Sequence, residues 1–145
     1  MIAVMIVAVS MILAVALFLA GIEIQVMGIR NAVKAELASL SIKISDDTYQ
    51  SLREGDFEAY RDKLNSSSSY ISALTSDFYS SLEENIKLYT ETYDIENVSL
   101  AFTNAGNSLV YAFNCDVRFR VTILGGAFPE ITRNVTIEGR HNAKY

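Results

Sequence analysis

Hydrophobic and polar positions fall into three successive patterns along the chain. From Met1 to Ile22 no side chain is charged, Ser10 alone is polar, and twelve residues are Ile, Val, Leu or Phe. A helix of this length rises about 33 Å, enough to cross a hydrocarbon core of ~30 Å. Twelve such side chains favour insertion by about 4–7 kcal/mol, with little to oppose them. Past Ile22 the apolar positions become Val26, Ile29, Val33, Leu37, Leu40 and Ile44, stepping by three and four. Glu23, Arg30, Lys34 and Ser41 fall elsewhere around the cylinder. This is one amphipathic stripe, so a single helix is expected from Met1 to about Ile44.

Ser45-Asp46-Asp47 is expected to break that helix. Asp47 and Gln50 have capping-box spacing for a short helix through Arg53, which Glu54-Gly55 would end. Asp56 can cap another, with Phe57, Tyr60 and Leu64 on one face, and the Asn65–Ser69 run reads as an exposed loop. Ile71, Leu74, Phe78, Leu82, Ile86 and Tyr89 then give a stronger helix, with Glu83 and Lys87 as an i,i+4 pair.

After Asp94 the period becomes two. Val98, Leu100 and Phe102 alternate with polar or small residues, and Asn104-Ala-Gly-Asn107 forms a turn cluster. Leu109, Tyr111, Phe113, Cys115, Val117, Phe119, Val121 and Ile123 then share one face, with Asn114, Asp116, Arg118, Arg120 and Thr122 on the other. Such an alternation requires an antiparallel sheet with one wet face. Gly125-Gly126 and Pro129 close the strand, and Ile131, Val135 and Ile137 begin a third. Helices followed by a meander give an α+β fold: a long N-terminal helix (membrane span plus amphipathic stem), short helices, and a three-stranded antiparallel sheet. The expected units are a membrane or filament-core helix at 1–22, a stem at 23–45 and an extramembrane head at 46–145. A chain beginning near Asp46 is expected to fold alone.

Charge and candidate chemistry add little. The net charge of −5 gives no reason to expect nucleic acid as a partner. Cys115 is the single cysteine and falls in the apolar register, which reads as an inert core thiol. His141, the single histidine, is expected at the surface. Asp46-Asp47 and Glu83-Glu84 read as a cap and a solvated face, because helix neighbours point apart. Gly125-Gly126 lacks the Lys and helix start of a phosphate loop, and no Gly-x-Ser-x-Gly elbow occurs. No catalytic residue, metal site or cofactor is expected. Tyr89 and Tyr93 flank a polar run and read as packing or as interfacial residues. Asn65, Asn97 and Asn134 head Asn-x-Ser/Thr sequons where a glycan could project.

The segment Phe18-Leu-Ala-Gly21-Ile22-Glu23, followed by Arg30-Asn-Ala-Val33-Lys34-Ala-Glu36, is similar to the start of TadE-like minor pilins of tight-adherence pili. The chain as a whole resembles the type IV pilin superfamily in outline: apolar helix, amphipathic stem, then helices and a short sheet. The resemblance implies a structural subunit that self-associates through its N-terminal helix. Ile2, Ile6, Val9, Leu13, Leu17, Ala20, Gly21, Ile22 and Glu23 would form the membrane and assembly helix. Val26, Ile29, Val33, Leu37, Leu40 and Ile44 would pack the stem. The implied partners are the lipid bilayer before assembly, then other pilus subunits or an assembly platform. The head would be extracellular, in a cell-surface filament after assembly. One departure stands out: most pilins carry a glutamate in the first turns of the mature helix, where this chain has Val4, Met5 and Ile6.

Other readings of the first segment are a secretory signal cut after Ala20 and a buried core helix. A rival for the whole chain is a single-pass membrane-anchored binding or sensory domain that does not polymerise. Arg30 and Lys34 follow the span and no basic residue precedes it, which by itself holds the head in the cytoplasm. An extracellular head therefore requires a basic leader removed before Met1, and that processed form is the one expected.

Overall fold

Helix α1 runs without interruption over Ile2–Arg53, 52 residues and about 78 Å long. The computed structural model describes residues 1–55, 57–65, 68–105, 108–121 and 129–142, and of residues 50–52, 57 and 60 the backbone only. Two short helices follow, α2 (Phe57–Lys63) and α3 (Ser69–Asn85), and then strands β1 (Tyr93–Ala105), β2 (Ser108–Phe119) and β3 (Ile131–Asn142). The strands form one antiparallel sheet in the order β1-β2-β3. The α+β class, a long N-terminal helix and short helices followed by a three-stranded antiparallel sheet, is the one the pattern predicts.

The break expected at Ser45–Asp47 is absent. Thr48 lies four residues beyond Ile44, continues the buried stripe, and is fully buried. Its hydroxyl donates to the Ile44 carbonyl at 2.6 Å, and Ser45 does the same to Ser41 at 3.1 Å. Hydroxyls satisfied within the helix do not compete with it. Asp47 does not cap a new helix: its carboxylate accepts from the Tyr70 hydroxyl at 2.8 Å. The helix ends at Arg53, followed by Gly55 at φ +74°, the left-handed conformation that glycine supplies at helix C-termini. The expected cap at Asp56 lies outside the described residues, as do the side chains of Gln50, Phe57 and Tyr60; Leu64 is buried.

Helix α3 starts where the serine run ends. The Ser68 hydroxyl accepts from the Ile71 amide at 3.2 Å and donates to the Lys63 carbonyl at 2.8 Å. Ile71, Leu74, Phe78 and Leu82 form its buried face, and Ile86 is the C-cap. Tyr89 and Lys87 therefore lie beyond the helix, contrary to expectation, and Tyr89 is exposed. Thr90 organises the turn that follows: its hydroxyl accepts from the amides of Thr92 and Tyr93.

Helix α3 runs antiparallel to the C-terminal half of α1. Contacts march in opposite directions along the two: Tyr70 with Asp47, Lys43 with Asp77, and Asn85 with Glu36. Together the two helices cover one face of the sheet. Val33, Leu37 and Ile44 from α1, Leu74 and Phe78 from α3, and Leu109, Phe113 and Val117 from β2 share one core. Phe78 meets Phe113 edge-on at 5.8 Å between ring centroids.

Strand β2 is central, and its alternation holds: Leu109, Tyr111, Phe113, Cys115, Val117 and Phe119 are all buried. The strand ends at Phe119; Val121 is half-buried beyond it, while Thr122, Ile123 and Gly125-Gly126 lie outside the described residues. Strand β1 begins earlier than the alternation suggested, at Tyr93, because a bulge hides the period. The pairing passes from Glu96↔Asp116 to Ser99↔Asn114, leaving Asn97 and Val98 both opposite Cys115. Asn97 takes φ 52°, a conformation Asn tolerates better than most residues. Ala105 pairs with Ser108 at the expected turn, whose Gly106 and Asn107 lie outside the described residues.

His141 corrects a second expectation. It is 8% exposed rather than at the surface. It pairs with Leu109, so it stands in the inward register of β3 with Ile131, Val135, Ile137 and Gly139. Gly139 lies opposite Tyr111, whose ring occupies the space above it: a Cβ there would meet Tyr111 Cε2 at 2.2 Å. Only glycine leaves that room.

Candidate functional site

The N-terminal part of α1 is free of the head. Ile2, Ile6, Val9, Leu13 and Leu17 lie along one side of the helix and are each at least 58% exposed, and the other residues from Met1 to Leu17 are exposed on the remaining sides. Ala20 is exposed too. This helix is long and apolar enough to cross a membrane. Its one polar side chain is satisfied internally, since Ser10 Oγ donates to the Ile6 carbonyl at 2.8 Å. A hydroxyl bonded in this way needs no partner from a solvent that has none to offer.

The transition into the head is abrupt. Phe18 and Gly21 are half-buried and Ile22 is buried. Val26 is half-buried, and Ile29, Val33, Leu37, Leu40 and Ile44 lie in the core. Glu23 begins the charged part of the helix, and its carboxylate accepts from Arg133 Nε at 3.0 Å. Both partners are about half-exposed, so this pair fixes geometry more than it stabilises. Sequence reasoning missed Arg133. The signal was a lone cation at an inward-register position of β3, beside Ile131 and Val135.

The remaining chemical groups do not converge. Among the described residues, no three His, Cys, Asp or Glu side chains are grouped to hold a metal ion. Cys115 is 1% exposed, and burial, with a smaller effect of the Asp116 charge, pushes its thiol up to about 11. On the outer face of the sheet, Asp94 accepts from Arg120 Nη2 at 2.6 Å and Nε at 3.2 Å, while Arg118 pairs with Glu96 at 2.7 Å. Asn97 and Asn134 both donate to Asp116, at 2.9 and 2.8 Å. All three sequon asparagines are exposed: Asn65 between α2 and α3, Asn97 in the bulge, and Asn134 on β3. An open groove of about 620 Å³ lies between α3 and the edge of β1, walled by Ser72, Thr75, Ser76, Tyr79, Leu100 and Phe102. The Leu100 amide donates to the Tyr79 hydroxyl at 3.0 Å, which occupies one of the edge strand's free backbone groups.

These groups fix the response to acid. Burial holds His141 below its ordinary value of 6.5. The unfolded chain therefore takes up the proton first, and stability present above that value is lost as the pH falls below it. The carboxyl of Asp94 is held below 3.8, chiefly by Arg120, and that of Asp116 by Asn134 and Asn97. Their contribution is present above 3.8 and lost as the pH falls through their lower folded values. The melting temperature of the head should thus decline in two steps on acidification. His141→Gln should remove the first step and leave the second, which thermal unfolding across a pH series would read.

Comparison with protein-family models, with curated proteins and with solved structures finds no match to this chain.

Proposed function

We propose that the chain is a pilin-like structural subunit of a cell-surface filament, held in a membrane before assembly and assembled through the N-terminal part of α1. The observation that carries this reading is the division of labour within one unbroken helix. One half is apolar on all sides and free of its own head, and the other half is the spine of the head's core. Such a helix transmits its position rigidly to the domain it carries. Lipid tails are as apolar as leucine, so exchange of lipid for neighbouring helices is driven by close packing and polar contacts. Ala3, Ala8, Ser10, Ala14, Ala16, Ala20 and Gly21 provide the small side chains for it.

The rival reading, an anchored binding domain that never polymerises, draws on the groove between α3 and β1. Electron microscopy of material sheared from cells, labelled with an antibody to the head, separates the two. Decorated filaments are the expected result. Antigen confined to carbonate-washed membranes would favour the anchored binding domain, and antigen in the carbonate-soluble fraction would remove both.

A further inference from the structure

The side of α1 turned away from the head has a pattern of its own. Ile24 lies two residues, about 200° of rotation, from both Ile22 and Val26, which pack under the head. It is 69% exposed, and Met27 on the same outer side is 67% exposed. Glu23 and Arg30 flank these two without covering them.

The head also overlaps the uncharged run. Phe18, Gly21 and Ile22 belong to that run, yet they are already covered by the head. The end of the sheet nearest this turn is marked by Arg133, bonded to Glu23. Tyr93, Phe119 and Ile131 form the last row of paired residues there. Tyr89, 73% exposed, bridges to Asp94 at the same end, and Lys87 lines a shallow cleft with Gln25 and Gly28. Tyrosine and lysine are residue types that favour the boundary between lipid and water.

Resting on the membrane-anchor part of the proposed function, we infer that this end of the head is seated in the lipid headgroup layer, with Ile24 and Met27 against lipid. The head does not stand clear on a stalk. Distances along the helix decide which exposed apolar residues this includes. The headgroup layer extends about 5–7 Å beyond the hydrocarbon on each side. Ile24 and Met27 lie about 3 and 7.5 Å past Ile22 along the axis, within that layer or at its edge. Ile42 is 63% exposed on the same outer face but stands about 30 Å past Ile22, out of reach of lipid. The same exposure thus has two meanings at two heights, and a measurement of depth distinguishes them.

The protein contains no tryptophan, so single substitutions supply a unique fluorophore. Ile12→Trp, Ile24→Trp, Met27→Trp and Ile42→Trp all replace exposed side chains, and each full-length variant would be placed in phosphatidylcholine vesicles. The lipids would carry a spin-label quencher either near the headgroup or at mid-chain, with aqueous acrylamide as the complementary quencher. For Ile24→Trp and Met27→Trp we expect strong loss of emission with the shallow label and weak loss with the deep one. Ile12→Trp should show the reverse order, and Ile42→Trp should lose emission to acrylamide alone. If Ile24→Trp and Met27→Trp behave like Ile42→Trp while Ile12→Trp is quenched by the deep label, the anchor stands and the seating is wrong. If lipid and acrylamide both fail to reach Ile24→Trp, a second copy of the chain covers that face, and the seating is again wrong. If the deep label does not quench Ile12→Trp, the membrane-anchor reading itself fails.

Discussion

A chain beginning at Asp46 is expected not to fold, whereas one beginning at Gly21 should give a soluble, cooperatively folding head. The stem places Ile22, Ile29, Val33, Leu37, Leu40 and Ile44 in the core, each at most 6% exposed. Burying an aliphatic side chain of this size contributes about 1.5–3 kcal/mol, so six contribute on the order of 9–18 kcal/mol. That is comparable to the whole 5–15 kcal/mol by which typical domains are stable. Without the stem, the inward faces of α3 and β2 would lie open to water and invite association. The expectation of an independent head from Asp46 onward is therefore replaced by a head whose spine is the stem. Circular dichroism and urea unfolding of the two truncated chains would decide the matter. A cooperative transition in the Asp46 chain, with a midpoint near that of the Gly21 chain, would show that α2, α3 and the sheet suffice.

The parts of this fold that the sequence made legible are those where one periodicity runs long enough to exclude the others. The stripe from Val26 to Ile44 and the alternation from Leu109 to Phe119 are of this kind, and each reports a face rather than a boundary. Boundaries depended on local hydrogen bonds that hydropathy does not encode. Asp46-Asp47 looked like a cap because acids often cap, yet Asp47 bonds to Tyr70, 23 residues away. Tyr89 kept the helical spacing of α3 although the helix had already ended at Asn85. The bulge at Asn97 shifted β1 by one residue and so concealed its first turns of pairing. His141 is a polar residue that composition alone sends to the surface, whereas the parity of β3 from Ile131 onward assigns it inward. The N-terminal helix long and apolar enough to cross a membrane was legible from composition alone. Its junction with the head was not, because the burial of Phe18 and Ile22 depends on the sheet being beside them.

Cys115→Asp should destabilise the head by about 3–5 kcal/mol at neutral pH, enough to unfold a domain of ordinary stability. Cys115 lies at the centre of the inner face, between Val135 on β3 and the bulged pair Asn97-Val98 on β1. Arg133, in the inward register of β3, is already bonded to Glu23, and Arg118 and Arg120 belong to the outer face, where they pair with Asp94 and Glu96. A charge placed there is desolvated and unpaired. Cys115→Val, which keeps an apolar group of similar size, should cost less than about 1.5 kcal/mol. The pH dependence separates a charge effect from mere misfit. A carboxyl in this position has its folded pKa raised above its unfolded value. The penalty is therefore small below the unfolded value, grows as the pH rises above it, and levels off beyond the folded one. The difference between Cys115→Asp and Cys115→Val should shrink on acidification, whereas a misfit would be the same at every pH. The native thiol gives an independent reading of the same register. Buried, and with its pKa pushed up to about 11, it should react with an aromatic disulfide reagent only after denaturant opens the sheet. Rapid labelling of the folded protein, or a Cys115→Asp head as stable as Cys115→Val at neutral pH, would mean that β2 turns this position to water.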